Sequence, residues 1–184
     1  MGGYESYRRY ISGDDTGLAE IVAEYKDGLI LYLRSFVSDI NIAEDLAEDT
    51  FFRIMVKKPN FSGKSSFKAW LYAIGRNVAV DYVRHNSKEI CTSSEDMEAY
   101  SASVADIEHA YIREEQQEII VRTLKKLSLE YRQILWLVFF EGMTNREAGV
   151  AMKKNDRQIR NLLYRAKQSL KKELEKEGFM YEEF

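Results

Sequence analysis

From residue 18 to residue 36 the apolar positions Leu18, Ile21, Val22, Tyr25, Leu29, Leu33 and Phe36 recur at steps of three and four. That spacing follows the 3.6-residue turn of an α-helix and predicts a first helix with one buried face. A second helix is predicted from near Asn41, with Glu44 three residues on as in a capping box, through Leu46, Ala47, Phe51, Ile54 and Met55. Pro59 disfavours the helical conformation in the residue before it, so this helix must end ahead of it. Ser65 or Ser66 can cap a third helix, which carries Phe67, Leu71, Ile74, Val78 and Tyr82 inward as far as about His85.

After that the period fails. In CTSSEDMEAYSASVADIEHA, serines, small residues and acids replace the apolar stripe, and a flexible acidic linker is expected. A further helix is predicted over about 106–126. Ser128 can then cap the very apolar YRQILWLVFFEG, which Gly142 can end in a left-handed conformation. Thr144 and Glu147 form a capping box that opens a short helix to about Met152. Lys153, Lys154 and Asn155 make a turn, and Asn155 or Asp156 caps a last helix with Ile159, Leu162, Leu163, Ala166 and Leu170 facing inward. Short strands bounded by turn signals are missing. The fold class is therefore all-α: two small helical domains joined by a flexible linker. The expected division is a first domain over 1–87, a linker over 88–105, a second domain over 106–178 and an acidic tail over 179–184.

Composition narrows the function. The 184 residues are 45% hydrophobic, ample for a buried core, and contain a single proline. Cys91 has no partner for an internal disulfide, and His85 and His109 make no metal-ligand spacing with it. No metal and no cofactor are expected, and a reducing cytoplasm fits. No apolar run approaches the roughly 18 residues of a membrane span, so no membrane insertion is expected. The chain holds no G-x-S-x-G, no G-x-x-x-x-G-K-[ST] and no paired histidine, so no catalytic residue is assigned and an enzyme is not expected.

The net charge of −3 hides a strong segregation. Residues 119–172 hold 13 basic and 4 acidic side chains, whereas residues 91–118 hold 1 and 8. The excess of positive charge is the footprint of a polyanion partner. Within the first domain, residues 39–49 carry five acids and no base, and residues 53–88 carry eight bases and one acid, Asp81. Two different partners are implied. Like charges four apart, as at Glu44 and Glu48 or Asp45 and Asp49, destabilise a lone helix by a few tenths of a kcal/mol per pair, so something basic should face them.

Two segments carry nucleic-acid chemistry. In the last helix Arg157, Gln158, Arg160, Asn161, Tyr164 and Arg165 face outward after a short helix and a three-residue turn, the helix-turn-helix arrangement. Arginine can bond guanine edges in the major groove, and asparagine or glutamine can bond adenine edges. The stretch KPNFSGKSSFKAWLYAIGRNVAVDYVRH mixes basic and aromatic groups, as holding an unpaired strand requires. Of its aromatics, Trp70 is expected to be mainly core and Phe61, on the loop, to contact a base.

In order and spacing these motifs resemble the extracytoplasmic-function sigma factors, the small two-domain class of bacterial RNA polymerase initiation factors. The resemblance spans about residues 16–173. It rests on AEDLAEDTFFRI and NFSGKSSFKAWLYAIGRNVAVDYVRH in the first domain. In the second it rests on LKKLSLEYRQILWLVFFEGMTNREAGVAMKKNDRQIRNLLYRAKQSLKKEL. It implies a factor that binds core RNA polymerase at the largest-subunit clamp and the flap, and that binds promoter DNA. The residues matching the clamp-docking positions are Asp45, Leu46, Glu48, Asp49 and Phe52. The loop over 61–66 matches the segment that captures a flipped base of the minus-ten element. With it the implied minus-ten set is Arg53, Lys57, Phe61, Gly63, Lys64, Ser65, Ser66 and Asn77. The outward face of the last helix is implied to read the minus-thirty-five element, and an anti-sigma factor is a further candidate partner. The chain departs from the family in having Gly149 where alanine is usual and Lys153 in place of the turn glycine. Gly149 allows closer packing of the second helix, at up to about 1 kcal/mol of helix propensity. Lys153 is expected to find a backbone solution other than a positive φ. The alternative reading, a stand-alone helix-turn-helix regulator, leaves the acidic helix and the basic loop unexplained.

Overall fold

The computed structural model describes residues 2–37, 39–90 and 123–176. Most of the expected linker, residues 106–122 of the helix predicted after it and the acidic tail lie outside the described residues. Helix α1 spans Gly3–Ile11, an element the aliphatic pattern does not announce. Its buried face is Gly3, Ser6, Tyr7 and Tyr10, small or hydroxylated residues that read as polar. Helix α2 spans Thr16–Leu33 and buries Ile21, Tyr25, Leu29 and Leu33 as predicted.

Helix α3 runs over Ile40–Lys57. Its cap is Asp39, whose carboxylate accepts from the Asn41 amide at 2.8 Å, so the expected box on Asn41 and Glu44 does not form. Helix α4 runs over Phe67–Ile90, five residues past His85 and into the expected linker. Ser66 caps it: its hydroxyl accepts from the Ala69 amide at 3.3 Å. Helices α1 to α4 pack around Ile21, Leu29, Leu33, Ala47, Ile54 and Leu71, all fully buried. Each such side chain contributes about 1.5–3 kcal/mol by leaving water.

In the second half, residues 123–125 form a helical turn, and helix α5 spans Leu129–Leu135. It continues into a wider π turn over Trp136–Phe140, closed by the Glu141 amide on the Trp136 carbonyl at 3.1 Å. Gly142 then takes φ 65, the predicted left-handed stop. Helices α6, Asn145–Met152, and α7, Asp156–Lys176, follow.

The two halves are packed together. Helix α6 lies against α4, and buried residues of both halves form one hydrophobic cluster. Among the described residues no strand occurs, and no helix is long and apolar enough to cross a membrane.

Candidate nucleic-acid interface

Helices α6 and α7 each open on a reciprocal cap. The Glu147 amide donates to the Thr144 hydroxyl at 3.3 Å and the Thr144 amide to the Glu147 carboxylate at 2.8 Å, the predicted capping box. One turn later the Gln158 amide donates to the Asn155 side chain, and the Asn155 amide returns to the Gln158 side-chain oxygen, each at 2.9 Å. Gln158 therefore serves first as a cap, a role the outward-face pattern missed although N-x-x-Q is present in the sequence.

Between the caps, Lys153 adopts φ 55, contrary to the expectation that a side-chain-bearing residue would avoid it. A helix that stops in one residue needs the left-handed conformation there, and the close approach of α6 to the turn enforces it. A Cβ on Gly149 would lie 2.8 Å from the Lys154 carbonyl oxygen, so only glycine fits beneath the turn. Lys154 is tied to Glu130 of α5 at 2.8 Å. Ile159 and Ala166 are buried, which turns Arg157, Gln158, Arg160, Asn161, Tyr164 and Arg165 all into solvent. Of these, Arg160 pairs with Asp156 at 2.8 Å.

The loop ahead of α4 is pinned by α1. The Tyr7 hydroxyl donates to the Pro59 carbonyl at 2.6 Å and the Tyr10 hydroxyl to that of Met55 at 2.9 Å. Burial, with Tyr10 beside it, pushes the Tyr7 hydroxyl up to about 12, so it remains a donor at physiological pH. Phe61 is less free than the sequence implies. Its half-buried ring packs on Tyr4, Trp70 and Phe67 at 5.1, 5.3 and 5.8 Å. Trp70 is half-buried, with one side in the core cluster as expected.

The other members of the minus-ten set divide by exposure. Gly63 has φ 70, and Lys64 and Lys57 are exposed. Ser65 and Asn77 are half-buried, and Arg53 lies 4.0 Å from Asp81. Ser66 is engaged twice, as the α4 cap and as a hydrogen-bond partner of Glu147 in α6.

The acidic face of α3 presents Asp45, Glu48 and Asp49 to solvent beside Phe52, which is 57% exposed. Leu46, expected among the docking residues, is instead 3% exposed in the core and can only support that face. The partners missed in the sequence are Leu18, Val22 and Met55, which with Phe52 wall an apolar groove of about 450 Å³ edged by Glu48 and Asp49. Leu18 and Val22 belong to the predicted inward stripe of α2, but they lie at its margin and stay half-buried.

An exposed basic helix face behind a reciprocal cap, a basic loop and an apolar groove edged by acids share one helical scaffold, the equipment of a DNA-binding transcription factor with a protein partner. Comparison with known proteins gives the same answer. The Sigma-70 region 2 family matches residues 21–89, and Sigma-70 region 4 matches residues 117–170. The chain is 30% identical over 154 residues to the ECF RNA polymerase sigma factor SigM of Bacillus subtilis, covering 83% of this chain and 91% of that protein. It is 26% identical to SigW of the same organism, covering 88% and 91%. In fold it matches the sigma factor RpoE solved in complex with the anti-sigma factor NepR from Bartonella quintana, with TM-score 0.69, 24% identity and coverage of 85% and 96%. The chain belongs to the extracytoplasmic-function family of RNA polymerase sigma factors, and it is an alternative sigma factor of transcription initiation.

Proposed function

We propose that this sigma factor docks on core RNA polymerase through the α3 groove, reads the minus-thirty-five element with α7 and holds the melted minus-ten strand with the loop ahead of α4. The observation that carries the reading is the outward face of α7. Its six polar or basic side chains are all exposed, and the reciprocal Asn155–Gln158 cap fixes the first turn of the helix that carries them. Arg157 and Asn161 offer the donors and acceptors that guanine and adenine edges need, while Lys57 and Lys64 supply charge for phosphates. On the polymerase side, Asp45, Glu48 and Asp49 face basic groups of the clamp around an apolar contact made by Phe52. Leu129, Phe139 and Phe140, exposed on the second half, are the apolar groups available to the flap.

The protein is then a non-catalytic factor acting in the cytoplasm, and the polymerase supplies the chemistry. An anti-sigma factor would compete for the same surfaces. The domain division at the end of α4 belongs to this reading: each half carries one DNA contact and one polymerase contact. Run-off transcription with core enzyme on genomic DNA, followed by sequencing of the transcripts, tests it by returning a defined promoter pair. A stand-alone regulator would bind DNA without co-purifying with core and would give no run-off product. Replacing Asp45 and Glu48 together with lysine should abolish core binding while leaving helicity intact, and wild-type affinity in that variant would remove the docking role.

A further inference from the structure

Helix α1 forms one wall of a pocket whose other wall is the loop that follows α3. The pocket measures about 330 Å³ and is lined chiefly by Tyr4, Arg8 and Ile11 on one side and Lys58, Asn60 and Phe61 on the other. Its chemistry is lopsided: two cations, Arg8 and Lys58, and three aromatic residues, Tyr4, Tyr7 and Phe61, line it, and none of the described residues lining it carries a carboxylate. The neighbouring Arg9 is different, because Asp14 and Glu20 both pair with it. Arg8 lines the pocket instead. Tyr4 is 46% exposed although its ring lies 5.1 Å from that of Phe61, so this aromatic pair keeps a face toward solvent. Lys58 stands over the Tyr10 ring at 4.7 Å, held at the pocket mouth by the left-handed turn that ends α3.

We propose that this pocket is a second single-strand site, taking an unpaired nucleotide of the melted DNA next to the one held by the loop over 61–66. The base stacks on the Tyr4 and Phe61 rings, and its flanking phosphates lie against Arg8 and Lys58. The inference rests on the proposed minus-ten role of the loop and extends it to α1, which lies outside the matched family regions. The hydroxyls of Tyr7 and Tyr10 position the site without touching DNA, because they bind the Pro59 and Met55 carbonyls and so fix the loop to the helix.

The test uses holoenzyme reconstituted from the full chain and core polymerase, with a fork-junction DNA whose non-template strand is unpaired through the minus-ten element of the promoter found by run-off. Tyr4→Ala should weaken binding about fivefold or more, the loss of one stacked base, while Tyr4→Phe keeps it. Arg8→Ala should lower the slope of log affinity against log salt by about 0.7, one phosphate on a single strand, and Arg8→Lys should restore it. In a scan of single abasic sites along the unpaired strand, Tyr4→Ala should have no further effect at one position. If Tyr4→Ala weakens every abasic probe alike, Tyr4 acts only by packing on Phe61 and the proposal is overturned. Wild-type affinity and slope in both alanine variants, while Lys64→Ala weakens binding, would overturn this site alone. No effect from Lys64→Ala or Ser65→Ala either would overturn the loop reading and the site with it.

Discussion

The Lys68 ammonium lies 2.6 Å from the Glu141 carboxylate and 2.8 Å from the carbonyl oxygen of the same residue, 73 positions further along the chain. Lys68 belongs to the first turn of α4 and Glu141 to the turn between α5 and α6. The Glu141 side chain is only 9% exposed and also accepts from the Trp136 indole at 3.2 Å. A carboxylate this far from water needs these donors, so the pair fixes how the two halves meet. Glu141→Ala should lower the stability of the full chain by about 1.5–3 kcal/mol in denaturant titrations. The same change should broaden the distance distribution between fluorophores placed on α3 and α7. An unchanged midpoint and distribution would mean that apolar packing alone joins the halves.

A second contact between the halves gives stability a pH dependence. The Ser66 hydroxyl, followed by the amide and side chain of Thr144, holds the Glu147 carboxyl below its ordinary value of 4.5, and Lys68 adds to the effect. The native state therefore binds its proton later than the unfolded chain does as pH falls. This contribution is complete above the ordinary glutamate range. It declines as pH drops through that range and is absent below the depressed native value. Glu147→Gln should flatten that limb of the stability curve relative to the wild type, measured by thermal melts in steps of pH. Parallel curves would show that Glu147 is not coupled to folding.

Gly149→Ala tests the packing under the turn. Alanine is the better helix former by about 1 kcal/mol, yet its methyl group would approach the Lys154 carbonyl to 2.8 Å, and backbone cannot easily move aside. Overpacking should dominate and cost about 1–3 kcal/mol, seen as a lower Tm. A stabilised variant would show that the turn has room to give.

The contrast between Gly149 and Lys153 shows which parts of the fold are legible in the sequence. The Asn41–Glu44 box yields to the Asp39 cap, whereas the Thr144–Glu147 box, the Gly142 stop and most of the inward stripes of α2, α4 and α7 depend on neighbours within one or two turns and stand where their spacing puts them. Lys153 does not, because the general cost of a positive φ is outweighed by a geometry set by Gly149, Ile159 and the Lys154–Glu130 pair together. Helix α1 was hidden for another reason. Its core contributions are tyrosines that combine an apolar ring with a hydroxyl bonded to a distant carbonyl, and a hydrophobic period does not register them. The outward polar face of α7 was legible because the helix carries charge outward at every turn. The partial burial of Phe61 and the burial of Leu46 were not, since each depends on what the neighbouring helix places beside it.

The outward face of α7, proposed to read the minus-thirty-five element, is not uniform in the roles its side chains can take. Arg157 and Asn161 are exposed on α7, whereas the Gln158 side-chain oxygen is committed to the Asn155 amide at 2.9 Å. Arg157→Ala and Asn161→Ala should each cost about 1–3 kcal/mol on the matched minus-thirty-five element and relax the choice of base at one position. Gln158→Ala should instead leave an orphan amide at the start of α7, lower stability by about 0.5–2 kcal/mol as lost caps do, and weaken all promoters alike. Holoenzyme binding to a set of single-base promoter variants, read beside the Tm of each protein, distinguishes the two roles. A relaxed preference at one base with unchanged Tm in Gln158→Ala would make Gln158 a reader, and a uniform loss across all promoters in Arg157→Ala would place that arginine on a phosphate.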